Sequence, residues 1–315
     1  MPNHQPIEST VQTDAIAPQQ DITSPPERFA IRKQLVVVGT VLLMLVAGAA
    51  VLFPDFLDQG VEAIRGLDNM FFIFVAGGFV AQLIDGSLGM AYGVSASTFL
   101  MSFGVPPAAA SASIHTAEIF TSGISGLSHL RFKNVNKKLF KSLLIPGTLG
   151  AIAGAYILTS FESYNSIIRP IVAVYTLMLG VIIIRKALIA QKQKRKTKNI
   201  PALAAFGGFM DSVGGGGWGP IVASTLIAKG RNPRYTIGSV NLAEFFISFS
   251  SSLTFFATLG ISYLQIIAGL VIGGAIAAPF AAYLTHRLPL RRMMLVVGVV
   301  IVLVSIRLIF ISLTR

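Results

Sequence analysis

The sequence has no cysteine, so disulfides, thiolate metal sites and cysteine nucleophiles are excluded. It is also short of charge. Asp, Glu, Lys and Arg make up 12% of the chain, about half the share in a soluble domain. No His-Glu-x-x-His, serine-hydrolase elbow or phosphate-loop pattern occurs. Nothing therefore suggests an enzyme, a bound metal or a cofactor. What fills the chain is apolar: 53% of residues are hydrophobic, and the mean hydropathy is +0.72. That composition describes a polytopic membrane protein. A net charge of +12 would hint at nucleic acid in a soluble chain. Membrane proteins instead gather Lys and Arg in cytoplasmic loops, and no nucleic-acid partner is expected.

Residues 1–30 are polar and proline-rich, with no apolar run and no small-residue cleavage site. They read as a disordered cytoplasmic tail, not a signal peptide. A first span follows at 31–54, then a short acidic segment with Asp55, Asp58, Glu62 and Asp68. Two apolar pieces at 70–84 and 89–103 flank "DGSLGMAYG", and three longer segments run near 107–130, 138–159 and 165–188. A basic linker at 189–200 leads to a second series at 201–213, 215–229, 233–258, 263–284 and 291–311.

The second series repeats the first. A slide of 126 residues aligns 81–127 with 207–253 without a gap and leaves 13 identities in 47 positions. Asp85 meets Asp211, Gly89 meets Gly215, Gly93 meets Gly219, and Ala117-Glu118 meets Ala243-Glu244. Tyr92 faces Trp218. Such residues are rare at membrane depth, so shared composition does not explain the match. The expected architecture is all-α: one extra N-terminal helix and two five-segment repeats at 69–188 and 201–311.

Charge sets the orientation. Clusters at 28–33, 131–141, 185–198, 229–234 and 287–292 hold 21 of the 25 Lys and Arg, while 104–106, 159–164 and 259–262 hold none. The positive-inside rule makes the clusters, and so the N-terminus, cytoplasmic in a multi-pass protein of the cell (inner) membrane. Equivalent loops of the two repeats then lie on opposite sides, which makes the repeats inverted. Many secondary transporters are built this way, with a site near the midplane.

A half-helix of about 15 residues rises about 22 Å, enough to reach the midplane of a core about 30 Å thick. Each repeat is thus expected to begin with a re-entrant, glycine-broken hairpin; two thin full spans are the alternative. Broken backbone is tolerated at that depth only inside protein or beside water. Its half-helix N-termini make an anion site. The candidate substrate-binding residues are Asp85, Gly86, Ser87, Gly89, Tyr92 and Gly93 at one tip. At the other they are Asp211, Ser212, Gly214, Gly215, Gly216, Gly217 and Trp218. Two roles remain open for the aspartates, helix capping and binding of a proton, cation or substrate group. Tyr92 and Trp218 could gate or pack.

Segment 107–130 carries a polar stripe of Ser111, His115, Glu118, Ser122, Ser125 and His129 at spacings of 4, 3, 4, 3 and 4, one helical face. Asn241, Glu244, Ser248 and Ser251 repeat its middle. His115, Glu118, Ser122, Asn241, Glu244 and Ser248 are the candidates for proton or ion coupling, or for polar lining. Interhelical hydrogen bonding is the competing role for the serines.

"LIDGSLGMAYG", "GVPPAAASASIHTAEIF", "SHLRFKNVN" and "MDSVGGGGWGP" resemble the sulfite exporter TauE/SafE family over about 70–311. The resemblance implies an integral membrane transporter of sulfite, sulfonates or related organic anions. "KNVN" stands where the family pattern has "GNVD", a departure at a loop that bears on gating. A small anion and the lipid bilayer are the implied partners, with H⁺ or Na⁺ as a possible coupling ion; oligomeric state is not legible. Four central carboxylates would repel an anion unless some are protonated or bind a coupling cation. An inside-negative potential of 100 mV favours exit of a monovalent anion by about 2.3 kcal/mol. Export therefore needs no coupled ion, whereas import would. The alternatives are a cation- or proton-coupled importer, an intramembrane aspartyl protease built on Asp85 and Asp211, and a structural or partner-binding membrane protein.

Overall fold

The computed structural model describes residues 69–188, 199–260, 263–287 and 289–314. The tail at 1–30, the span at 31–54, the acidic segment after it and most of the linker, 189–198, lie outside the described residues. The described chain is all helix and short connections. The first five helices are α1 Asn69–Leu88, α2 Tyr92–Ser102, α3 Pro107–Arg131, α4 Lys137–Ser160 and α5 Asn165–Leu188. The second five are α6 Ile200–Gly214, α7 Trp218–Ala228, α8 Pro233–Leu259, α9 Leu264–Arg287 and α10 Leu290–Thr314. Five helices among the described residues are long and apolar enough to cross a membrane, those at 69–88, 137–160, 162–188, 233–259 and 291–314.

Local chemistry sets the helix ends. Asn136 and Asn199 accept the N–H of Leu139 and Ala202 as N-caps, and proline occupies the first turn of α3, α6 and α8. α1 runs four residues beyond the expected break at 84, so Asp85, Gly86 and Ser87 lie in its last turn. The break itself is residues 89–91, and its counterpart is 215–217, again 126 apart. Gly89 and Gly215 end their helices at nearly the same left-handed φ, +68° and +65°, a conformation that costs glycine nothing.

Packing exchanges partners between the halves. α1 lies along α9, α6 lies along α4, α3 pairs with α8, and α5 pairs with α10. First segments thus pack on the opposite fourth segments, while third and fifth segments pack on their equivalents. That is the pattern an internal two-fold would generate. Small residues permit the approach. A methyl added at Gly78 or Gly273 would strike the backbone of α9 or α1, and one at Gly154 or Gly208 would strike α6 or α4. Outward faces keep large apolar side chains exposed, among them Ile145, Leu149, Leu303 and Phe310, as lipid contact requires.

The two basic loops meet at one end. The Arg234 Nε donates to Asn134 at 2.5 Å, and Ser239 accepts the N–H of Asn136 at 2.8 Å. At the other end Tyr263 reaches Glu162 at 3.5 Å. Asn134 and Asn136, after α3, and Tyr263, after α8, therefore make their contacts at opposite ends. Beside that second end Ala108, Ala112, Ala155, Leu158 and Phe255 form an apolar cluster.

α7 opens with a π-turn over Trp218–Ala223. The N–H of Ser224 bonds to Gly219, which leaves the carbonyl of Pro220 without its helical partner. The Ser224 hydroxyl and the Lys186 ammonium both donate to that carbonyl, and the Lys186 Nζ also bonds to the Ser224 hydroxyl. A charged donor to a buried carbonyl contributes about 1.5–3 kcal/mol. Lys186→Met keeps the apolar stem and removes the donor. It should lower the thermal midpoint by about 3–8 °C, measured on purified protein by tryptophan fluorescence. An unchanged midpoint would remove Lys186 from the account of this turn.

Candidate functional site

The two breaks touch backbone to backbone. An added Cβ at Gly93 would lie 2.5 Å from the Gly215 carbonyl oxygen and 2.6 Å from the Gly216 Cα. One at Gly216 would overlap the backbone of Gly93 and Val94. No side chain fits at either position.

Each aspartate reaches across its own break. Asp85 Oδ1 accepts the N–H of Tyr92 at 3.3 Å, and Asp211 Oδ1 accepts that of Trp218 at 2.8 Å. Both bonds span seven residues. They cap the second half-helix from the end of the first, a role that repeat symmetry calls for without any protease dyad. Asp211 Oδ2, buried, makes no hydrogen bond.

The last carbonyls of α6 are satisfied by side chains of the other half. Ser97 donates to Gly214 at 2.8 Å, Ser111 to Ser212 at 2.5 Å and Tyr175 to Gly216 at 2.9 Å. His115 Nε2 lies 3.2 Å from the Asp211 carbonyl oxygen. A carbonyl can only accept, so Nε2 carries hydrogen. His115 Nδ1 then faces Glu118 Oε2 at 3.1 Å and Asp211 Oδ2 at 3.9 Å. Nδ1 and Oε2 are thus within hydrogen-bonding distance, and which of the two donates is set by where the proton sits. The same three side chains have metal-ligating geometry. Ser248 donates to Glu118 at 3.3 Å, and His115 stacks on Phe255.

The side chains that hold α6 are not repeated at the equivalent positions of the second half. A shift of 126 places Ala223, Ile237 and Asn241 where Ser97, Ser111 and His115 stand. Alanine and isoleucine offer no donor, and Asn241 spends its amide on Ser125 at 2.8 Å. These three residues instead line a cavity of about 270 Å³. Its wall takes in both breaks and all four central carboxylates, Asp85, Glu118, Asp211 and Glu244, and it extends to His129 beside the basic loops. On the opposite side of the breaks lie the α6 lock and the Phe255 cluster. The cavity lining reaches the basic-loop end at His129 and includes none of the residues of that cluster.

Of the residues expected from sequence, Gly86, Gly89, Tyr92, Gly93, Gly216, Gly217, Ser122 and Asn241 also line the cavity. Ser87, Ser212, Gly214, Gly215, Trp218, His115 and Ser248 stand behind the wall. Ser87 bonds to Leu83 at 2.6 Å and Ser212 to Ser251 at 2.6 Å. Gly214 packs against Tyr175. Trp218 is wholly buried in the apolar core around α7, with Nε1 donating to Val240 at 3.2 Å. Gln82, Met90, Thr121 and Ile237 line the cavity and were not anticipated. Gln82 had a signal, a lone polar residue one turn before Asp85.

Comparison with known proteins places this arrangement in context. Residues 73–308 match the family described as Sulfite exporter TauE/SafE. The chain is 39% identical over 246 residues to a protein of Bacillus subtilis (strain 168) named "Probable membrane transporter protein YtnM", an overlap covering 75% of this chain and 81% of that one. No solved structure matches significantly.

Proposed function

The chain belongs to the sulfite exporter TauE/SafE family of membrane proteins, and from that premise we propose that it exports small sulfur-containing or organic anions, sulfite and sulfonates first, by alternating access around the two breaks. The observation that supports this reading most is the cavity, walled by both glycine breaks and both polar helices and reaching His129 beside the basic loops. Half-helix N-termini supply donors for an anion, and α3 and α8 supply the hydroxyls. By the positive-inside rule the His129 end of the cavity lies toward the cytoplasm of a cell membrane protein, the side from which an exporter loads. Were transport to require a proton gradient, the buried His115–Glu118 pair would be the candidate coupling group. A cation- or proton-coupled importer would use the same scaffold in reverse.

The test is flux of labelled sulfite and ethanesulfonate in liposomes holding the purified protein, with membrane potential and pH gradient varied separately. Saturable movement driven by voltage alone is expected. Movement that requires the proton gradient would instead assign an importer-like coupled cycle. No movement of either solute by folded protein would overturn the substrate assignment.

A further inference from the structure

We propose that the cavity recognises a zwitterion, a small sulfonate or similar anion that also carries a primary ammonium, with the anionic end at the start of α2 and the ammonium on Glu244. This rests on the transport reading of the same cavity and adds a substrate class to it.

The wall has the wrong charge for a simple anion. Four carboxylates line it and no Lys or Arg does; the one basic side chain, His129, sits at the mouth. Three of the four carboxylates are engaged. Asp85 and Asp211 cap the half-helices, and Glu118 holds His115 and Ser248. Glu244 has neither a hydrogen bond nor an ion pair among the described residues and faces the cavity. A carboxylate at membrane depth calls for a cationic partner, and an ammonium brings three donors.

The opposite preference is built into the same wall. The Tyr92 hydroxyl is buried, with the residue 4% exposed, and has no partner. Tyr92, Gly93 and Val94 open an eleven-residue helix, whose first N–H groups have no intrahelical acceptor and whose N-terminus favours negative charge. Among the described residues, only the N–H of Tyr92 is taken, by Asp85. An unsatisfied acceptor and an unsatisfied donor set thus share about 270 Å³, room for about nine waters. A molecule of under ten heavy atoms with charges of both signs satisfies both.

The test uses the purified full chain in nanodiscs at fixed pH, with 2-aminoethanesulfonate, ethanesulfonate, sulfite and ethylamine as probes, each with and without Na⁺. Calorimetry should show the aminosulfonate binding at least about tenfold tighter than ethanesulfonate, a step of about 1.4 kcal/mol. Glu244→Gln should bring the two within about twofold. Tyr92→Phe should weaken both sulfonates alike and keep the amino preference, which serves if Glu244→Gln fails to fold. The inference is overturned if ethanesulfonate or sulfite binds as tightly as the aminosulfonate. It is also overturned if Glu244→Gln removes a Na⁺ dependence common to all probes, which would make Glu244 an inorganic cation site. Ethanesulfonate binding without an amino preference sinks this inference alone. Absence of binding by every probe to folded protein sinks the sulfonate reading with it.

Discussion

Gly216→Ala should yield no working transporter. The added methyl would overlap the backbone of Gly93 and Val94 on the facing break, and backbone cannot rotate aside as a side chain can. Overpacking a rigid site costs about 1–3 kcal/mol and sometimes more; here both surfaces are helix ends fixed by their caps. Gly93→Ala meets the mirror problem, 2.5 Å from the Gly215 carbonyl oxygen and 2.6 Å from the Gly216 Cα. Each variant should show a lowered thermal midpoint and flux at the level of protein-free liposomes. A Gly216→Ala protein with native midpoint and flux would mean that the breaks do not meet.

Asp211→Asn should do the reverse, keeping the fold and losing transport by about a hundredfold. Asn keeps an oxygen for the Trp218 N–H, so the start of α7 survives. The other terminal atom becomes an amide where Oδ2 stood unbonded, 3.9 Å from His115 Nδ1. That atom now presents N–H donors to His115 where a carboxylate oxygen stood. A hundredfold loss corresponds to about 2.7 kcal/mol on the transport barrier, since each 1.36 kcal/mol is tenfold in rate. Flux per folded molecule, with folding checked by gel filtration and thermal midpoint, is the readout. Wild-type flux from a folded Asp211→Asn protein would remove Asp211 from the transport cycle.

The breaks were legible because glycine and aspartate are costly at membrane depth. Residues that persist there at matching positions 126 apart carry information that apolar residues do not. The end of α1 was misplaced for the same reason. Asp85 and Gly86 read as breakers, yet both sit in a last helical turn, from which Asp85 can reach Tyr92. Tyr92 and Trp218 align in sequence and part in space, one on the cavity wall and one in the core. Symmetry in sequence describes two interchangeable halves, while any one conformation treats them differently. Sequence therefore located the two breaks, but not which of their equivalent residues face the cavity. The lock on α6 was hidden too, because its acceptors are carbonyls that every residue carries.

That lock has a consequence for the proposed alternating-access cycle. Closure on the α6 side engages Ser97, Ser111 and His115, whose equivalents in the second half are Ala223, Ile237 and Asn241. The two orientations of such a cycle would differ in energy, and reopening the latched side would be the slow stroke of each turnover. A carrier latched in this way would wait for cargo from one compartment, and a blocker delivered from that compartment would meet its target ready to bind.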